Sequence, residues 1–95
     1  MKRVVITGLG MVSPLGNTVA DTWNAILNGK SGVEAITSFD PSAFTTQFSA
    51  SVKGLVVGDY FPEKDARKMD PFIQYGMVAG IQAMQDAGIE VSDAL

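Results

Sequence analysis

The stretch Arg3-Val4-Val5-Ile6-Thr7-Gly8-Leu9-Gly10 decides how the chain is read. Three β-branched residues stand in a row without polar alternation, and two glycines close the run. This predicts a short strand, buried on both faces, that leads into a tight turn. Such a strand needs cover above and below.

Outward from that strand, the loop Met11 to Gly16 contains Pro14 and Gly16, and Thr18 with Asp21 has the spacing of a capping box. A helix is predicted from that point. Val19, Trp23, Ile26 and Leu27 form its apolar stripe, and Gly29 suits the left-handed position after its last turn. From Lys30 to Pro41 an irregular connection with Val33, Ile36 and Phe39 as buried anchors is expected. Phe44, Thr46, Phe48, Ala50 and Val52 alternate with Thr45, Gln47, Ser49, Ser51 and Lys53, the period of a half-exposed strand that closes at Gly54. Asp59 is placed to cap a short helix around Pro62 to Met69.

Asp70-Pro71 opens the longest helix, with Pro at its first position, and Gly88 ends it with Ile89 placed for the capping contact. Phe72, Ile73, Met77, Val78, Ile81 and Met84 are apolar, and Gly76, Ala79, Gly80, Ala83 and Ala87 add a stripe of small residues. A helix apolar nearly all round belongs inside a larger protein, and Gln74, Gln82, Gln85 and Asp86 argue against a membrane span. The small residues are read as permitting close contact within one core rather than dimerisation. A two-sided strand and an all-round apolar helix need more partners than the remaining elements supply. The fold is therefore expected to continue past Leu95.

The 95 residues are 46% hydrophobic, carry a net charge of −3, and include no cysteine and no histidine. Thiol and imidazole chemistry are excluded for this chain itself, as are a disulfide framework and a cysteine–histidine zinc cluster. Seven basic against ten acidic residues argue against broad binding to nucleic acid or an anionic membrane. Met1-Lys2-Arg3 is followed by too short an apolar run for a signal peptide, so a cytoplasmic protein is expected.

Each candidate site has a plain structural reading beside it. Gly8-Leu9-Gly10 after a strand has part of a dinucleotide fingerprint, but Ser13 stands at the third glycine position, so a structural turn is the better account. Ser13, Ser31 and Ser42 lack an activating histidine, and Lys30-Ser31 has no supporting context, so caps and turns are expected there. Asp59, Glu63, Asp65 and Asp70 fall at helix starts, where negative charge is favourable in any case. Lys64, Arg67 and Lys68 are spaced to face one way along a short helix. They can receive an acidic partner, or form a solvated face with Glu63 pairing to Arg67.

With these residues laid out, the sequence closely resembles the N-terminal part of the β-ketoacyl-acyl-carrier-protein synthases, the elongating condensing enzymes of fatty acid synthesis. The resemblance runs from Arg3 to Asp86. It rests on the segments Arg3 to Asn17, Gly29-Lys30-Ser31-Gly32, and Arg67-Lys68-Met69-Asp70 with Phe72-Ile73-Gln74-Tyr75-Gly76. The last of these is more like synthase II than synthase I, and Pro71 is a departure that its helix-start position makes harmless.

The resemblance implies an α/β chain, residues 1–95 being the N-terminal fragment of a thiolase-like layered α/β/α/β/α fold. It also implies a cytoplasmic homodimer without metal or cofactor. In the family, a cysteine takes the acyl chain and two histidines support condensation with malonyl-carrier protein and loss of CO2. None of the three can be placed on this chain. Lys64, Arg67 and Lys68 correspond to the family's electropositive contact for acyl-carrier protein, which turns their reading towards docking. A non-catalytic relative of chain-length-factor type, acting by partnering, is the alternative. A free-standing carrier-binding module is a third reading, disfavoured because its strand edges and apolar helix would aggregate.

Overall fold

The structure, a computed structural model, describes residues 2–89. Met1 and residues 90–95, which the domain expectation includes, lie outside the described residues. The elements run α1 (Val19–Leu27), β1 (Val33–Ala35), β2 (Phe48–Ala50), a 3-10 turn (Val57–Asp59), α2 (Glu63–Ala66) and α3 (Pro71–Ala87). The content is mixed α/β, and no described helix is long and apolar enough to cross a membrane.

Both longer helices obey the local rules. The Thr18 side chain accepts the Asp21 N–H at 3.1 Å, which satisfies one of the free donors of the first turn of α1. Asp70 precedes Pro71 at the start of α3, although its side chain makes no cap hydrogen bond. Gly88 stands at φ 69°, with its N–H donating to Gln85 O and that of Ile89 to Met84 O, both at 3.1 Å. These two bonds are a Schellman motif. Gly29 takes the same left-handed conformation after α1. Asp59, expected to cap α2, lies instead in the 3-10 turn, and Pro62 is the residue that precedes α2.

The opening run departs from expectation. Residues 2–10 are extended but belong to no ladder among the described residues, and Val4 is 95% exposed. Hydrogen bonds from α3 hold the end of the run. Asp86 Oδ2 accepts the Leu9 N–H and Gln82 Oε1 accepts the Met11 N–H, both at 3.0 Å. Gln82 Nε2 donates in turn to Asn17 O at 2.5 Å and to the Tyr60 hydroxyl at 3.1 Å. One glutamine thus ties α3 to the extended run, to the start of α1 and to the approach to α2.

The glycines of the opening run have a different purpose from the expected tight turn. A Cβ on Gly8 would meet the Ala83 carbonyl and lie 2.6 Å from Ala87 N; a Cβ on Gly10 would meet the Ala79 carbonyl and lie 2.8 Å from Ala83 N. The extended backbone crosses directly over the Ala79, Ala83 and Ala87 side of α3, and only hydrogen side chains leave room. The small-residue stripe therefore splits in two. Its alanines meet the extended run, while added Cβ atoms at Gly76 and Gly80 would have nothing within 4 Å.

Burial is correspondingly sparse. Among the described residues, only Ala25, Ala66 and Val78 are buried hydrophobics, and Thr22 is the one buried polar residue. The apolar stripe expected to seat α1 is reversed: Thr22 and Ala25 face inward, and Trp23, Ile26 and Leu27 are exposed. The Thr22 hydroxyl, held by Ser13 Oγ at 2.8 Å and Gly16 O at 3.3 Å, fixes that rotation. On α3, Phe72, Ile73 and Met77 are likewise exposed. The radius of gyration is 16.7 Å, whereas a compact domain of this length would have about 12 Å.

β1 and β2 form an antiparallel pair with Val33 opposite Ala50, Glu34 opposite Ser49 and Ala35 opposite Phe48. The strand expected over Phe44 to Lys53 shrinks to its middle, because Phe44 N–H closes a turn onto Pro41 O at 2.9 Å. Val33 and Phe39 are exposed rather than buried; Phe39 packs edge-to-face on Phe44 with centroids 6.0 Å apart. Before that turn, Ser42 N–H donates to Asp40 Oδ1 at 3.0 Å. This backbone bond, and then the Ser42 hydroxyl, hold the Asp40 carboxyl below the ordinary 3.8 of an aspartate.

Two outcomes are expected. Gly10→Ala forces a methyl into the α3 backbone and lowers the stability of the intact protein by about 3 kcal/mol or more, read as a fall in Tm. Asp40 has a depressed folded-state pKa, so its contribution is complete above the ordinary aspartate value and fades as pH falls through the lowered one. The Ser42 amide resonance titrates with that lowered midpoint.

Candidate functional site

Lys64, Arg67 and Lys68 do not share one helix, because α2 ends at Ala66. Arg67 keeps helical backbone angles, and Lys68 N–H donates to Asp65 O and Met69 N–H to Ala66 O, so the chain continues winding in tighter turns. Residues three apart eclipse in such winding, which keeps Lys64 above Arg67. All three cations are exposed.

This turn is anchored from below. Ala66 is buried, and Gln74 Nε2 from the first turn of α3 donates to Ala66 O at 2.9 Å and Met69 O at 3.2 Å. Ala66 O, which also accepts the Met69 N–H, and Met69 O thus share one side-chain donor from α3. These two hydrogen bonds from one side chain tie the turn to α3.

The segment Glu63 to Asp70 holds three acidic and three basic residues, so its character depends on where the acids go. Glu63 turns back to the 3-10 turn, where a Cβ on Gly58 would lie 3.2 Å from its Oε1. It does not pair with Arg67. Asp65 is half-buried in the first turn of α2, where the helix dipole favours it. Among the described residues the one ion pair is Lys53 with Glu34, and Lys64, Arg67 and Lys68 take part in none. The solvated, self-neutralised face is not what forms.

The other candidates have structural positions. Ser13 Oγ bonds Thr22 Oγ1 and accepts the N–H groups of Leu15 and Gly16 at 3.3 Å, which locks the loop before α1. Ser31 Oγ accepts the Val33 N–H at 3.2 Å, and Ser42 serves the Asp40 turn. Gly8 and Gly10 lie against the C-terminal half of α3, where the missing side chains admit its backbone. No group of three acidic, cysteine or histidine residues is arranged around a common point among the described residues.

Lys53 is a residue that the alternating pattern marks only as solvent-facing. Its Nζ donates to Pro14 O and Gly32 O at 3.2 Å and to Ser51 O at 3.1 Å, with Glu34 at 3.8 Å. All three ammonium protons have carbonyl partners, and the lysine joins the loop before α1 to both sides of the β1–β2 hairpin. Asn17 Nδ2 adds a bond to Lys53 O at 2.9 Å. Lys53→Met removes these bonds at an exposed position and is expected to cost about 1 kcal/mol, measured as a lowered denaturation midpoint.

With this geometry in place, the similarities to known proteins are informative. The chain is 54% identical over 92 residues to a Vibrio cholerae protein named 3-oxoacyl-acyl-carrier-protein synthase 2, and 40% identical to a Staphylococcus aureus protein of the same name. Each match covers 97% of this chain and 22% of the relative, so the chain spans roughly a fifth of their length. A solved structure, the ishigamide ketosynthase/chain length factor, superposes with a TM-score of 0.79 at 32% identity, over 94% of this chain and 22% of that one. The family model for the beta-ketoacyl synthase N-terminal domain matches residues 1–94, and the chain belongs to that family.

Proposed function

We propose that the chain is the N-terminal segment of a type II β-ketoacyl-acyl-carrier-protein synthase. The parent enzyme condenses an acyl group with malonyl-carrier protein, releasing CO2 in fatty acid elongation. The cysteine nucleophile and the supporting histidines belong to other parts of that protein, since this chain has neither residue type. In this reading the segment is the opening part of a thiolase-like layered domain. The exposed faces of α1 and α3 are covered by the other layers, and the parent enzyme is a cytoplasmic homodimer.

The contribution of these 95 residues to the reaction is recognition. The observation that carries this is the turn Lys64 to Lys68: three exposed cations without ion-pair partners, on a segment clamped to α3 by Gln74. A fixed positive turn steers an acidic carrier protein and sets its register, which is worth more in association rate and specificity than in contact energy. The rival reading, a chain-length-factor-like subunit acting by partnering, draws on the name of the ishigamide structure. The two part on whether the intact protein releases CO2 from malonyl-carrier protein.

Lys64→Glu combined with Arg67→Glu in the intact protein is expected to raise the KM for the carrier protein by on the order of tenfold. Little change in kcat and a shallower dependence of kcat/KM on ionic strength should accompany it. An unchanged KM at low salt rejects the docking role.

A further inference from the structure

We propose that Asn28 is a site of spontaneous deamidation, gated by opening of the last turn of α1. Asn28-Gly29 is the one Asn-Gly step in the sequence; Asn17 precedes Thr18 and Asn24 precedes Ala25. Glycine imposes no side-chain obstacle when its backbone nitrogen approaches the preceding amide carbon. Both residues are exposed, and an added Cβ on Gly29 would have nothing within 4 Å, so the site is open to water.

The reaction needs only water and base. Gly29 N loses its proton and attacks Asn28 Cγ, the Cγ–Nδ2 bond breaks, and the amide nitrogen leaves as ammonia. Water then opens the five-membered imide at either carbonyl, giving aspartate or isoaspartate at position 28.

In the folded chain this attack is held off by three features. Gly29 N–H donates to Ile26 O at 3.0 Å, which ties up the nucleophile. Asn28 Nδ2 donates to Asn24 O at 2.8 Å, which holds the side-chain amide back along the helix. Asn28 has ψ 7°, which turns the following nitrogen away from Cγ. All three are released together when the turn opens. A helix of nine residues is too short to resist that opening by its own hydrogen bonds.

The product changes the structure locally. It adds a carboxylate at the C-terminal end of a helix, where the helix dipole disfavours negative charge, and it removes the Nδ2 bond to Asn24 O. The isoaspartyl form also lengthens the backbone by one methylene beside the left-handed Gly29.

The test is to incubate the intact protein at mildly alkaline pH. Conversion is followed by peptide mass at Asn17, Asn24 and Asn28 and by isoaspartate-specific methylation. Conversion is expected at Asn28 and not at the other two, roughly tenfold or more faster in unfolding concentrations of urea. Thr18→Ala, which removes the N-cap of α1, should accelerate it several-fold in the folded protein, with Thr18→Ser restoring the original rate. Folded protein that stays unconverted while unfolded protein converts completely overturns the site. Equal rates in the two states overturn the gating.

Discussion

The backbone from Gly8 to Met11 lies against α3, and the other arrangements in the chain follow from that contact. Extended backbone normally meets its hydrogen-bonding needs from a neighbouring strand. Here two polar side chains of a helix, Gln82 and Asp86, accept from every second amide, Met11 and Leu9, and so stand in for a ladder on one edge. The distance between backbone and helix is set by Gly8 and Gly10 on one side and by alanines on the other. Larger residues at any of these positions would lift the run off the helix and break the hydrogen bonds with it. Because Gln82 also binds Asn17 O and the Tyr60 hydroxyl, the start of α1 and the approach to the basic turn take their positions from the same crossing.

α3 has two duties at its two ends. Its seventeen residues span about 25 Å. The C-terminal half receives the opening run, and the N-terminal half, through Gln74, holds the carbonyls at the end of α2. A cationic turn on such a support keeps its shape without partners of its own. This matters for electrostatic recognition, where a charge that must first be ordered gives back part of what it gains.

What the sequence made legible followed from local rules. Thr18 before α1, Asp70-Pro71 before α3, and the glycines 29 and 88 after them are decided within a few residues by backbone donors, φ preferences and the cost of a Cβ. The basic residues at 64, 67 and 68 were legible as a cluster, and the family was legible because its motifs are dense. Which face of a helix turns inward was not. The stripe Val19, Trp23, Ile26 and Leu27 reads as a core face, yet the Thr22 hydroxyl and its partner Ser13 set the rotation. The all-round apolarity of α3 likewise describes a larger assembly than the described residues contain, and so do the β-branched residues at 4 to 6. Lys53 and Gln82 gave no signal, since a solvent-facing lysine and a glutamine on an apolar helix acquire their roles only when distant carbonyls arrive beside them.

The crossing also has a consequence for synthesis. Its two hydrogen bonds join residues 77 and 71 positions apart. The opening run leaves the ribosome before α3, which follows only after roughly 4 to 15 seconds at ordinary elongation rates. During that interval the Leu9 and Met11 amides lack their α3 acceptors, beside Val4, Val5 and Ile6, a β-branched segment that α3 does not cover and of the kind that joins neighbouring nascent chains. The pair Lys2-Arg3 directly before it places charge where such association would begin. The order in which the elements appear leaves the crossing, and the positions of α1 and the basic turn that depend on it, unformed until α3 is complete.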